Sequence, residues 1–125
     1  MKLTTDDNVD EFLMSDINKV YITFTNKEEV ILKSITDWDI NLDPINYSTI
    51  SFTNAFQNKE LIQHFDKKEI VEFIHIEGRG IKADDHNYID LFYDIPCHMK
   101  IQRVCVDGGY SNCGKTFVEF EGVVG

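Results

Sequence analysis

The run from Asn87 to Ile95 alternates more cleanly than any other stretch of the chain, and it restricts the fold most. Successive side chains of an extended strand point to opposite faces, so Ile89, Leu91, Tyr93 and Ile95 fall on one side and Tyr88, Asp90, Phe92 and Asp94 on the other. Val20 to Thr25 is a run of β-branched and aromatic residues, Asn26-Lys27 offers a turn, and Val30 to Ile35 supplies a second run. Together they predict a hairpin. Asn46 to Thr53 reads as a third strand with Ile50 and Phe52 on one face, and Asp37 to Pro44 as the segment connecting it to the hairpin. Ile70 to Ile76 carries apolar residues on both faces, as a central strand does. Gly78-Arg79-Gly80 marks a turn after it. Met99 to Val106 and Thr116 to Val124 predict a last hairpin around the turn-rich segment from Asp107 to Gly114.

Helical spacing is confined to two places. Val9, Phe12, Leu13 and Ile17 share one helical face, with Asn8 and Glu11 spaced as a variant capping box. Lys59 to Asp66 predicts a short helix capped by Asn58, with Leu61, Ile62 and Phe65 facing inward. About seven strands in short consecutive connections, without βαβ alternation, predict an α+β fold. The expected form is a mainly antiparallel β-sheet, curled into a barrel or sandwich, with an N-terminal helix and one short further helix. A chain of 125 residues is near the commonest size for one domain, so residues 1–125 are read as one.

Charge narrows the function. Twelve Lys and Arg against 22 Asp and Glu give a formal net charge of −10, and both halves of the chain share the excess. Such a field repels nucleic acid and anionic membranes and draws in cationic partners, chiefly by speeding encounter. No basic stripe interleaved with aromatics is present, which argues against direct nucleic-acid binding. The first residues lack a signal peptide's basic start and apolar core, and no apolar run reaches membrane-spanning length, so a cytoplasmic location is expected. Cys97, Cys105 and Cys113 are too few and odd in number for a disulfide framework. Cys105 and Cys113 approach each other across the last predicted hairpin, but two reduced thiols are the expectation.

Several motifs fail on context. Gly109 to Thr116 satisfies G-x-x-x-x-G-K-[ST], in which backbone N–H groups would cradle phosphates while Lys115 and Thr116 serve the terminal phosphate and Mg²⁺. That loop must open a long helix, and the residues after Thr116 are patterned as a strand. Asp37 to Asp43 places acids and an amide at alternate positions like the start of a calcium loop, yet Leu42 and Ser48 stand where Gly and Glu are needed. His64, His75, His86 and His98 are about a dozen residues apart, without the i, i+4 spacing of preformed zinc ligands. The paired carboxylates Asp6-Asp7, Glu28-Glu29 and Asp84-Asp85 read as solvated charge at turns and termini. Accordingly no catalytic set, metal ligand or cofactor is expected.

The remaining candidates are for partner binding. Trp38, flanked by Asp37 and Asp39, is either an exposed anchor in an acidic patch or a lid folded back on the core; tryptophan is enriched at interface centres. With Asp43, Asp84 and Asp85 these residues make the predicted partner-binding set. The acidity and size, with a strand run ending in Ile35-Thr36-Asp37-Trp38-Asp39-Ile40, resemble the immunity proteins of bacterial toxin–immunity pairs, particularly those of contact-dependent growth inhibition. The resemblance implies a non-catalytic inhibitor that covers the active site of a toxic, basic nuclease domain. Two other readings stand beside it. One is a phage-type inhibitor, such as an anti-CRISPR or nucleic-acid mimic; the other is a small-ligand barrel whose interior holds Tyr21, Phe73, His75 and Tyr93.

Overall fold

The structure, a computed structural model, describes residues 16–43, 47–54, 59–81, 88–106 and 116–125. The elements in chain order are β1 (Asp16–Phe24), β2 (Glu29–Lys33), β3 (Ile35–Asn41), β4 (Ser48–Asn54), α1 (Glu60–Asp66), β5 (Ile70–Ile81), β6 (Tyr88–Cys105) and β7 (Phe117–Val124). The strands form one antiparallel sheet in the order β2-β1-β5-β6-β7-β4-β3.

This order makes β2 and β3 the two edges, although only Ser34 separates them in the chain. A flat seven-stranded sheet would set its edges roughly 29 Å apart at about 4.8 Å per strand, whereas two residue steps span at most about 7 Å. The sheet must therefore curl until its edges meet at Ser34, and β1 accordingly touches β3. It is not closed into a barrel, because β2 and β3 share no ladder. Ser34 makes the corner with φ of 56°, and register shifts at Ile17/Lys19, Thr23/Phe24, Ile35/Asp37, Val71/Phe73 and Ile101/Arg103 add twist along the strands.

The concave side is the core. Val20, Ile22 and Phe24 of β1, Leu32 of β2, Ile50 and Phe52 of β4, Ile74 and Ile76 of β5, Ile95 of β6 and Phe120 of β7 are all fully buried there. Trp38 and Ile40 pack against this cluster from β3, and Leu61 enters it from α1. The helix lies where the sequence places it, but Lys59 rather than Asn58 takes the N-cap position, without a side-chain cap bond. Leu61 and His64, three residues apart, are the buried pair, while Ile62 and Phe65 are only half-buried against the core. Glu60 lies at the positive end of the dipole, and Lys68 at φ 56° ends the turn.

Several expectations require correction. Asp37 to Asn41 is part of edge strand β3, not a connection. Gly78-Arg79-Gly80 does not turn; β5 continues to Ile81, and both glycines are buried on the concave side. The runs expected as separate strands before and after Pro96 are one long strand, Tyr88–Cys105, which continues through the proline and bulges just beyond it; Asn87 lies outside the described residues. Asp16 and Ile17 begin β1 rather than end a helix, and the rest of the expected N-terminal helix lies outside the described residues. Among the described residues no helix is long and apolar enough to cross a membrane.

Candidate functional site

The period of two in β3 divides the predicted partner-binding residues. Asp37 and Asp39 point outward and are exposed, whereas Trp38 turns inward and is half-buried against the core. Tryptophan and carboxylates therefore occupy opposite faces, and Trp38 is a lid rather than an anchor. Its backbone N–H donates to Asp37 Oδ1 at 2.9 Å. Outward from β3, Asp39 is paired in register with Ser51, and Ser51 with Glu119, which lies 3.4 Å from the Arg103 guanidinium. Asp43 is half-buried; its N–H donates to Ser48 Oγ at 2.8 Å and its carbonyl accepts from the same hydroxyl at 3.2 Å. Asp84 and Asp85 lie outside the described residues, as does the Gly109–Lys115 stretch of the phosphate-loop pattern. Strand β7 starts immediately after Thr116, in the place where such a loop requires a helix.

A second group assembles on the convex face, built from strands distant in sequence. Register places Ile31, Tyr21, His75 and Asp94 side by side across β2, β1, β5 and β6, with Glu77 beside Phe92 and Arg79 beside Asp90 in the next rows. Tyr21 and Phe92 flank the His75 ring, with centroids 5.5 Å and 6.1 Å away. Asp94 Oδ1 is 2.5 Å from His75 Nδ1, Glu77 Oε2 is 3.4 Å from Nε2, and the Tyr21 hydroxyl donates to Glu77 Oε1 at 3.3 Å. Phe92 remains 62% exposed. The result is an aromatic strip edged by Glu77, Asp94 and an Arg79–Asp90 ion pair at 3.6 Å on the middle of the sheet.

Burial alone would depress the His75 pKa, but hydrogen bonds and charge from Asp94 and Glu77 outweigh it and hold the imidazolium above its ordinary value. The small-ligand set is divided by the same alternation: Tyr21, Phe73 and His75 lie on the convex side, and Tyr93 packs on the concave one. These four residues cannot line one interior. Alternation with the buried Val20, Ile22, Ile74 and Ile76 is the signal that separates them.

A third group lies where α1 meets the β1–β2 turn. His64 is 7% exposed, and its ring stacks on Phe24 at 3.9 Å between centroids and 6° between planes. Its Nδ1 is bonded to Glu69, and its Nε2 lies 3.5 Å from Glu28 Oε2. An open groove of about 590 Å³ runs from His64 past Asp66, Lys68 and Glu69 to Lys100 and Gln102.

The cysteines offer little chemistry. Burial pushes the Cys97 thiol up to about 12, and its Sγ donates to the Val71 carbonyl at 3.7 Å. It is a core residue and a poor nucleophile. Cys105 is disulfide-bonded, contrary to the reduced thiol expected, and Cys113 lies outside the described residues.

The chain matches no protein-family model, and neither a curated protein nor a solved structure is similar enough to serve as a relative.

Proposed function

We propose that this is an immunity-type inhibitor that neutralises a basic toxin domain, a nuclease by preference, through the convex face of β1, β5 and β6. One observation carries the reading: Phe92 stands 62% exposed on the central strand with Asp90 and Asp94 on the same face. An apolar ring set among carboxylates suits a protein surface that offers an apolar recess ringed by Lys and Arg. The ring contributes desolvation at the centre, and the acids contribute orientation and rate. The net charge of −10 extends the attraction beyond the contact itself.

Trp38 leaves the contact set in this reading, while Asp37 and Asp39 form a separate acidic edge. Such an inhibitor acts in the cytoplasm of the cell it protects, as a single domain without catalysis. Cytoplasmic action also requires the fold to tolerate loss of the Cys105 disulfide, since a reducing compartment would open it.

Co-expression with the product of the adjacent upstream gene tests the proposal. The expected result is a complex whose association slows as salt rises and whose affinity falls at least tenfold in Phe92→Ala. Absence of a complex at low salt sinks the immunity reading. A complex that forms but ignores Phe92→Ala, Asp90→Asn and Asp94→Asn sinks the assignment of the face. Competition between nucleic acid and this protein for a non-toxin target would move the reading to a nucleic-acid mimic.

A further inference from the structure

The β1–β2 turn is tightly built. Lys27 at φ 74° donates its N–H to the Phe24 carbonyl, Phe24 donates to the Glu28 carbonyl, and Asn26 Oδ1 accepts the Glu28 N–H, each at 2.9 Å. This turn presents Glu28 to the buried ring of His64. From the other side, the end of α1 folds back so that the Glu69 N–H donates to the His64 carbonyl at 3.1 Å, and the Glu69 side chain meets Nδ1. Two segments thus converge on one imidazole.

The ring cannot satisfy both carboxylates by itself when neutral. A neutral imidazole carries one N–H, so one nitrogen donates and the other presents a lone pair. With Nδ1–H given to Glu69, the Nε2 lone pair faces the Glu28 carboxylate at 3.5 Å, an acceptor opposite an acceptor. Either an N–H on both ring nitrogens or a bound cation can fill that gap, and the spacing suits the cation. Two ligands on a tetrahedral centre at about 2.1 Å each stand roughly 3.4 Å apart, which is close to the spacing found here. Among the described residues, Glu28, His64 and Glu69 form the group of three whose donor atoms all lie within 4.8 Å of one another. The orienting contacts are also in place. A carboxylate on the far nitrogen is the usual support of a metal-bound histidine, and Asn26 Nδ2 holds Glu69 Oε1 at 3.0 Å. The Phe24 stack fixes the ring plane.

We propose that His64 Nε2 and Glu28 bind a divalent transition-metal cation of the zinc type, with Glu69 as the positioning residue and water completing the shell. The ion reaches the site from solvent through Glu28, which is 59% exposed, and it ties the β1–β2 turn to α1. Imidazole with carboxylate favours later first-row cations over Mg²⁺ and Ca²⁺, which prefer oxygen alone. The same preference separates this site from the general attraction of an acidic surface for cations.

Calorimetric titration of the full chain with zinc chloride at pH 8, and with cobalt, manganese and magnesium chlorides, tests the assignment. One zinc ion per chain is expected, with affinity following zinc over cobalt over manganese and with no displacement by about a hundredfold excess of magnesium. Glu28→Gln, on an exposed turn that leaves the core untouched, and His64→Gln should each weaken zinc at least tenfold. Glu69→Gln should cost about 10- to 100-fold, as loss of an orienting partner does. His98→Gln, exposed on β6, should leave zinc affinity unchanged. If His64→Gln fails to fold, resonance broadening by Co²⁺ in the unaltered protein must centre on residues 26–28 and 64–69. No zinc binding, equal binding of magnesium, zinc affinity unmoved by Glu28→Gln, or broadening centred elsewhere would overturn the proposal.

Discussion

Lys33 and Ile35 stand in the two outermost strands of the sheet with only Ser34 between them. The exposed corner residue therefore carries the whole change of direction, at φ of 56°. A β-branched side chain is strained there, and glycine is not. Ser34→Val should lower unfolding free energy by about 1–2 kcal/mol, and Ser34→Gly should leave it unchanged or slightly raised. Urea midpoints of the three proteins decide this, and equal midpoints for Val and Gly would refute it.

Gly122 is a packing requirement of β7. A Cβ at this position would collide with the His98 carbonyl oxygen and lie 2.6 Å from Met99 Cα, both backbone atoms that cannot step aside. Gly122→Ala should cost about 1–3 kcal/mol or more by forcing β6 and β7 apart. Amide exchange should quicken along the Met99–Gly122 pairing before it does in β1–β2.

His75 gives stability a sign with pH. Its folded pKa is raised, so the folded state holds a proton that the unfolded chain has released. This contribution is present in full below about 6.5, the unfolded value, and disappears as pH rises through the folded pKa. The stability difference between the native protein and His75→Gln should therefore shrink from pH 5.5 to 8.5. Thermal midpoints across that range would show it, and a difference that widens would contradict the assignment.

Phe92 and Phe24 separate surface from core. Phe92→Ala should change stability by no more than about 0.5 kcal/mol, since the ring is 62% exposed. Phe24→Ala removes a fully buried ring and the platform of His64, and should cost about 3–5 kcal/mol. Paired denaturation curves give both values.

Cys97 should resist iodoacetamide in the native state at pH 8, because its thiol is buried with a pKa of about 12. Labelling should become rapid only in denaturant. Mass mapping of native protein that found Cys97 modified within minutes would place it nearer the surface than described.

Most strands are legible in the sequence: β1, β2, β4, β7 and both halves of β6 as β-rich runs, and β5 from Ile70 as a run apolar on both faces, as an interior strand is. Strand β3 hides because its outward positions are Asp37, Asp39 and Asn41, residues that ordinarily mark turns, while only Trp38 and Ile40 carry the strand signal. Gly78 and Gly80 read as a turn for the same compositional reason, although they lie buried on the inner face of β5. Neither the sheet order nor the convex cluster is accessible from sequence, because Tyr21, His75 and Phe92 become neighbours only through non-local pairing. Likewise, no spacing rule announces His64, whose carboxylate partners come from a turn and from beyond the helix.

Among the described residues β2 and β3 share no ladder, and sheet edges of this kind can template pairing with a second molecule. On edge strand β3, Asp37 and Asp39 stand exposed on the outer face. When two molecules approach edge to edge with the same face outward, like charges are brought together, so the acidic strip disfavours that pairing. Its carboxylates thus protect the protein from itself, whether or not they meet a partner.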